Sequence, residues 1–291
     1  MHLLRRIGQC LGLALYLAAV PALATPALWV AHSGKSTVYL FGTMHILPKG
    51  TAWRSPTLTK ALDASRTLYI EETDDSTAHM QALVLKYGID PSHPLSGELS
   101  PGDVILLKRA VQVAGLPGGE ATINIMRPWL AGLTLIATPL LKAGMDPKSG
   151  VDKQLKAQFK SEGKPVKGLE TAEQQIRFLA GMKPKTEIAF LHSILKHFKN
   201  ATSEVHKLID HWQTGNVEAI AKSADIEMRT ESPELYQRLI VARNKAWARQ
   251  LAALMKTPGT RFVAVGAAHL AGPDSVQKQL QAFGIITRRI Q

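Results

Sequence analysis

Cysteine is almost absent from this chain. The one thiol, Cys10, lies inside an uncharged N-terminal stretch. The rest of the chain therefore cannot carry a cysteine nucleophile, a disulfide framework or a Cys-ligated zinc site. Other familiar signatures are also missing. There is no H-E-x-x-H, and the pairs His192/His197 and His206/His211 are five residues apart, which does not stack them on one helical face. There is no G-x-S-x-G. Ser33-Gly34-Lys35-Ser36-Thr37 looks like the end of a phosphate loop, but Trp29 stands where the leading glycine belongs and a strand follows instead of a helix. Long runs of one charge are lacking too. The formal charge is +12, yet Lys and Arg are scattered, with no run longer than the Arg288-Arg289 pair. A basic patch for nucleic acid is not formed, so no nucleic-acid partner is expected.

The N-terminus has a pattern of its own. Arg5 and Arg6 precede an uncharged stretch from Ile7 to Val20, and Pro21-Ala22-Leu23-Ala24 ends it with small residues. A basic segment, an apolar segment and an A-x-A end predict a secretory signal, residues 1–24, cut before Thr25. The competing reading is an uncleaved anchor, since the stretch approaches the roughly 17 residues that a spanning helix needs. Gln9, Pro21 and the A-x-A end favour cleavage, leaving a periplasmic or secreted protein without a stable membrane anchor. Cleavage removes Cys10 with the signal and lowers the formal charge from +12 to +10.

Residues 25–291 read as one α/β domain. Residues 37–41 form an apolar strand broken by Gly42, 55–65 a helix with Leu58, Ala61 and Leu62 on one face, and 67–70 a second strand ending at Glu71-Glu72. Such alternation predicts a mixed sheet with crossover helices. The middle is mainly helical. The stretch 127–142 is apolar, contains Pro139 and is too short to span a membrane, and 151–161 is amphipathic through Val151, Leu155 and Phe159. A strand over 165–170 is followed by Thr171 and Gln174 in a capping-box pattern. Helices over 185–224, with breaks near Asn200 and Gly215-Asn216, lead to one long helix over 233–255. The chain closes with strand 261–265, helix 274–283 and strand 285–287. No low-complexity linker or short tandem repeat occurs. The two ends of the chain are expected to meet in one sheet, with the helical middle as a cap.

One unit does recur. Gly42-Thr43-Met44-His45 and Gly266-Ala267-Ala268-His269 each follow an apolar strand, at the end where open α/β sheets place ligand sites. A glycine there allows the backbone to turn. Glu71 ends the neighbouring strand, so His45, His269 and Glu71 are candidate ligands for a divalent ion with open coordination positions, and such an ion supports metal-assisted hydrolysis. The plainer reading is two satisfied loop histidines and a surface carboxylate. Glu72 competes with Glu71, but strand alternation sends the two to opposite faces. Glu170 and Asp152 stand at helix starts, where a carboxylate is stabilised by the helix N-terminus. Arg243 falls among Leu239, Ala246, Trp247 and Leu254 on an apolar helical face and needs a carboxylate or an anionic ligand.

With these residues in hand, the chain resembles the TraB/GumN family, whose relatives include the Tiki-type metalloproteases. The resemblance runs through Gly42 to Pro48, the strand-end Glu71, Gly150-Val151-Asp152, Gly163 to Thr171 with Gln174, Leu235-Tyr236, Arg243-Asn244 and Val265 to Gly272. Glu72 departs from it, because the family usually has an apolar residue there. The resemblance implies a metal-dependent peptidase site at His45, His269 and Glu71. The expectation is an exported metal-dependent hydrolase acting on a peptide or small acyl substrate with manganese, cobalt, zinc or iron. Glu170 or Glu72 would serve as general base, and Arg243 would steady a carboxylate or a developing oxyanion. Two alternatives stay open: a periplasmic protein that binds a peptide or regulates without turnover, and a metal-free esterase-like hydrolase with a histidine base.

Overall fold

In the computed structural model, which describes residues 24–223 and 227–291, eight strands alternate with helices. They are β1 (Leu28–Ser33), β2 (Ser36–Thr43), β3 (Leu47–Pro48), β4 (Thr67–Ile70), β5 (Met145–Asp146), β6 (Val166–Gly168), β7 (Gly259–Gly266) and β8 (Thr287–Arg289). Six form one sheet in the order β6-β4-β7-β2-β1-β8, and β3 pairs with β5 as a small separate ribbon. Strands β6, β4, β7 and β2 are mutually parallel, while β1 is antiparallel to β2 and β8 to β1. The sheet is thus mixed, as expected, and the two ends of the chain meet at β2/β7 and β1/β8.

Period-two alternation divides the apolar residues between two faces. Phe41, Leu68, Ile70, Phe262 and Ala264 pack on one side with residues of helices Pro56–Ala64, Val151–Ser161 and Ala201–Gln213. Leu40, Tyr69, Val263 and Val265 pack on the other with Trp247, Ala248 and Leu251 of helix Ala242–Leu254. A third cluster, including Leu107, Leu135, Leu191 and Leu195, knits the helices of the middle segment into the cap.

Local chemistry explains several helix starts. Ser55 Oγ accepts from Leu58 N at 3.0 Å, and Pro56 opens the helix that buries Leu58, Ala61 and Leu62. Thr171 and Gln174 form the reciprocal capping box. Helix Val151–Ser161 has the expected bounds. Pro139 is carried inside helix Pro128–Lys142. Among the described residues no helix is long and apolar enough to cross a membrane.

Three expectations need correction. Residues 233–255 are not one α-helix: Pro233–Tyr236 and Ala242–Leu254 flank a π-helical turn at Gln237–Val241. The wider helical ring there shifts the register just ahead of Arg243. Strand β1 was not expected, its apolar run Leu28 to Ala31 being short; it forms by pairing with β2 across a turn at Gly34 and with β8. That turn is the stretch resembling a phosphate loop. The last strand begins at Thr287, leaving Ile285 and Ile286 in the approach to it. The predicted signal segment, residues 1–24, lies outside the described residues apart from Ala24.

Candidate metal centre

The C-terminal ends of β2, β4 and β7 lie side by side, with Thr43 opposite Gly266 and Ile70 opposite Ala264. Each strand delivers one candidate: His45 two residues past β2, Glu71 directly after β4, and His269 three past Gly266. His45 Nε2 stands 3.8 Å from Glu71 Oε1, and His269 Nε2 stands 4.0 Å from the same oxygen. The sequence candidates therefore converge in space.

The motif glycines work differently from the expectation. Neither Gly42 nor Gly266 has positive φ, so no turn requires them; close approach does. A Cβ on Gly42 would lie 3.0 Å from Ala267 Cα. A Cβ on Gly266 would lie 3.2 Å from Glu71 Oε1, 3.4 Å from His45 Nε2 and 3.6 Å from His269 Cδ2. A side chain at Gly266 would therefore crowd all three candidate residues at once.

Glu71 and Glu72 take different partners, although both line one cavity. Glu71 follows Tyr69 onto the face of helix Ala242–Leu254 and is 9% exposed. Its Oε1 accepts from Gly266 N at 2.7 Å and its Oε2 from Arg243 Nη2 at 2.6 Å. The Glu72 Oε1 instead accepts from Asp74 N. Burial pushes the Glu72 carboxyl above its ordinary range.

Arg243 finds the carboxylates that its apolar surroundings demand. Its Nε and Nη2 donate to Glu170 Oε1 and Oε2 at 3.0 and 2.9 Å, and Nη1 stands 3.0 Å from His269 Nε2. The guanidinium also lies over Trp247, 4.7 Å from the ring centre. Gln175 Nε2 donates to Glu71 Oε2 at 3.2 Å and lies 3.4 Å from Glu170 Oε2. Glu170 is accordingly a partner of Arg243, with both oxygens engaged. Arg243 is likewise a carboxylate clamp.

Asp152 was expected to serve its own helix start. It reaches across instead, and its Oδ1 stands 3.1 Å from His45 Nδ1. Asn244, next to Arg243, has Oδ1 2.7 Å from His269 Nδ1. The sequence signal for both was weak: a carboxylate at a helix start and an amide beside an arginine are each commonplace.

Electrostatics separates the two histidines. Burial and the positive charge of Arg243 lower His269 to about 3, against the pull of Glu71. Desolvation would lower His45 too, weakly for a side chain 58% accessible, but the hydrogen bond to Asp152 and the charge of Glu71 outweigh it and raise the ring to about 9. Burial would raise Glu71, yet Arg243, His45 and the Gly266 N–H hold it at about 2. His269 helps only when protonated, which its own low value denies it at neutral pH.

The donor chemistry fits a divalent ion: two imidazoles and a carboxylate face one another beside a glycine that leaves them room. The fit requires a small adjustment. Among the described residues no set of three His, Cys, Asp or Glu side chains is already drawn together as an ion site. Donor separations of 3.8 and 4.0 Å must shorten by a few tenths of an ångström to suit bonds of about 2.0–2.2 Å, and Arg243 must release His269 Nε2. A polar cavity of about 190 Å³ opens onto the site, lined by His45, Glu71, Glu72, Asp152 and Gln175.

A family model described as the TraB/PrgY/gumN family matches residues 27–289. Two similar proteins, each carrying the name "Uncharacterized protein YbaP", come from Escherichia coli (strain K12) and Shigella flexneri. Each is 28% identical over 257 residues, covering 88% of this chain and 92% of the relative. No solved structure matches the chain.

Proposed function

The chain belongs to the TraB/PrgY/gumN family, and from that premise we propose that it is an exported metal-dependent hydrolase acting on a peptide or small acyl compound. The reading is carried by one observation: His45 Nε2, His269 Cδ2 and Glu71 Oε1 all lie within 3.6 Å of the place that a Cβ on Gly266 would take. His45, His269 and Glu71 would hold one divalent ion, drawn from manganese, cobalt, zinc and iron by the nitrogen and oxygen donor set. Such an ion supplies Lewis acidity toward a water molecule and a carbonyl group.

The chain's own groups divide the remaining work. Arg243 neutralises the Glu71–Glu170 pair and keeps Glu71 ionised and aimed at the histidines. The cavity leads a substrate in from the side of His45, the most exposed of the three donors, with its side chain 58% accessible. Glu72 lines that cavity and is free of Arg243, so it replaces Glu170 as the candidate proton acceptor.

A metal-free reading has its own support. Arg243 Nη1 already engages His269 Nε2, and His45, oriented by Asp152 and raised to about 9, would enter as a proton donor. The test is metal content and turnover of a peptide library for wild type, Glu71→Gln and Glu72→Gln, using protein recovered from fractionated cells with Thr25 as its first residue. Glu71→Gln should lose both ion and turnover; Glu72→Gln should keep the ion and lose rate. Wild type that takes up no added ion yet turns over substrate refutes metal dependence, and binding without turnover favours a sequestering or regulatory protein.

A further inference from the structure

We infer that Asp152 and Asn244 are positioning residues, each holding one imidazole with Nδ1 engaged and Nε2 turned toward Glu71. The inference rests on the ion-binding reading above and deepens it by assigning the groups that make the two rings competent donors.

For His269 the hydrogen-bond network fixes the tautomer. Asn244 Nδ2 lies 3.3 Å from His269 O and 2.8 Å from Asp274 O, two groups that only accept. The amide nitrogen must therefore point to them, which turns Oδ1 to His269 Nδ1 at 2.7 Å. An acceptor at Nδ1 requires the proton to sit there, leaving a lone pair on Nε2. The other side of the ring agrees: Arg243 Nη1, a donor, faces Nε2 at 3.0 Å. Trp247 closes over the ring with centroids 4.5 Å apart. For His45 the argument is shorter. Asp152 Oδ1 accepts at Nδ1 from 3.1 Å, and Nε2 faces Glu71 Oε1 at 3.8 Å.

The backbone commits both partners to these places. Val151 N donates to Met44 O at 2.9 Å, and a Cβ on Gly150 would lie 2.3 Å from His45 O. Only glycine allows the start of helix Val151–Ser161 to lie so close to the first motif, and Asp152 follows at once. Asn244 comes after the π-helical turn, beside Arg243. Consecutive helical residues point about 100° apart, so one helix sends Arg243 to Glu71 and Asn244 to the far edge of His269. The partners also differ in charge. The half-exposed ring has a carboxylate, whereas the ring that is 5% exposed has a neutral amide, which avoids another buried charge. A ring held with the proton on Nε2 would present N–H to an ion and could not ligate it.

The experiment compares wild type with Asp152→Ala, Asp152→Asn and Asn244→Ala. Zinc affinity is measured by calorimetry, and imidazole nitrogen shifts by NMR on the metal-free proteins at neutral pH. His269 should carry its proton on Nδ1 in wild type and lose that preference in Asn244→Ala. Zinc affinity should fall about 10- to 100-fold in both alanine variants and recover most of the way in Asp152→Asn, whose amide oxygen still accepts. Asn244 is fully buried, so if its variant fails to fold, Asp152→Ala carries the test alone. A folded Asp152→Ala with wild-type zinc affinity, or a wild-type His269 protonated on Nε2, overturns the inference. If wild type takes up no zinc, the ion-binding reading falls by itself. The Nδ1 preference of His269, lost or kept on removing Asn244, then decides the positioning role.

Discussion

Replacing Gly266 by alanine tests the candidate site at its centre. The backbone there, φ −50° and ψ 137°, suits any L-residue, so the change adds one methyl and no backbone strain. That methyl carbon would stand 3.2 Å from Glu71 Oε1 and 3.4 Å from His45 Nε2, atoms themselves 3.8 Å apart. The geometry of that triangle places the methyl roughly 2.7 Å from the point midway between the two donors, where it hinders their closing on an ion at about 2.0–2.2 Å. The contacts are tight but fall on side-chain atoms. Overpacking should cost about 1–3 kcal/mol, a drop of about 2–4 °C in Tm for each kcal/mol. Calorimetry with zinc or manganese and a thermal melt on the same sample separate the two effects. The variant should be folded, moderately destabilised and at least about 100-fold weaker for the ion, as expected when donors cannot converge. A folded Gly266→Ala protein that binds the ion like wild type refutes the placement of the ion between these donors.

Two further predictions concern the metal-free protein. Arg243→Gln leaves Glu71 and Glu170 facing each other, with side chains 11% and 6% exposed and no cation between them. Thermal unfolding should show a loss of about 3–5 kcal/mol, partly restored by a divalent ion that balances Glu71; wild-type stability would mean that the clamp contributes nothing. Stability should also fall with acid. His269 is held at about 3 and Glu71 at about 2, each below its ordinary value. Their contributions are fully present above those ordinary values and are lost as pH falls through the folded ones. His45, raised to about 9, acts in the opposite direction and is lost as pH rises through that value. Glu187, raised to about 7 by burial, opposes His269 between its own ordinary value and 7, so a comparison of variants is needed to isolate His269. Between about pH 6.5 and 4.5 the stability of wild type should fall with acid relative to that of His269→Gln, Glu187 contributing alike to both; a constant difference there would contradict the low pKa of His269.

Much of this arrangement was legible from residue order. The repeated Gly-x-x-His unit, the strand-end Glu71 and the apolar neighbours of Arg243 each reflect a local rule, namely strand alternation, strand termination or helical periodicity. Those rules hold without knowledge of distant contacts, so the mixed sheet and the meeting of the chain ends could be read in advance. The capping box at Thr171 and the bounds of helix Val151–Ser161 are local in the same way.

Other features depended on contacts between distant segments, and those only the tertiary structure decided. Strand β1 exists because β2 and β8 supply its hydrogen bonds, despite its irregular pattern. Asp152 serves His45, 107 positions away, because Gly150 lets the two backbones close on each other. Glu170 became the partner of Arg243, 73 residues on, once the π-helical turn set the register of that helix. Periodicity shows which way a side chain faces. Which other segment it meets depends on how the sheet brings distant strand ends together, and that registration fixed the surroundings of Asp152, Asn244 and Glu170.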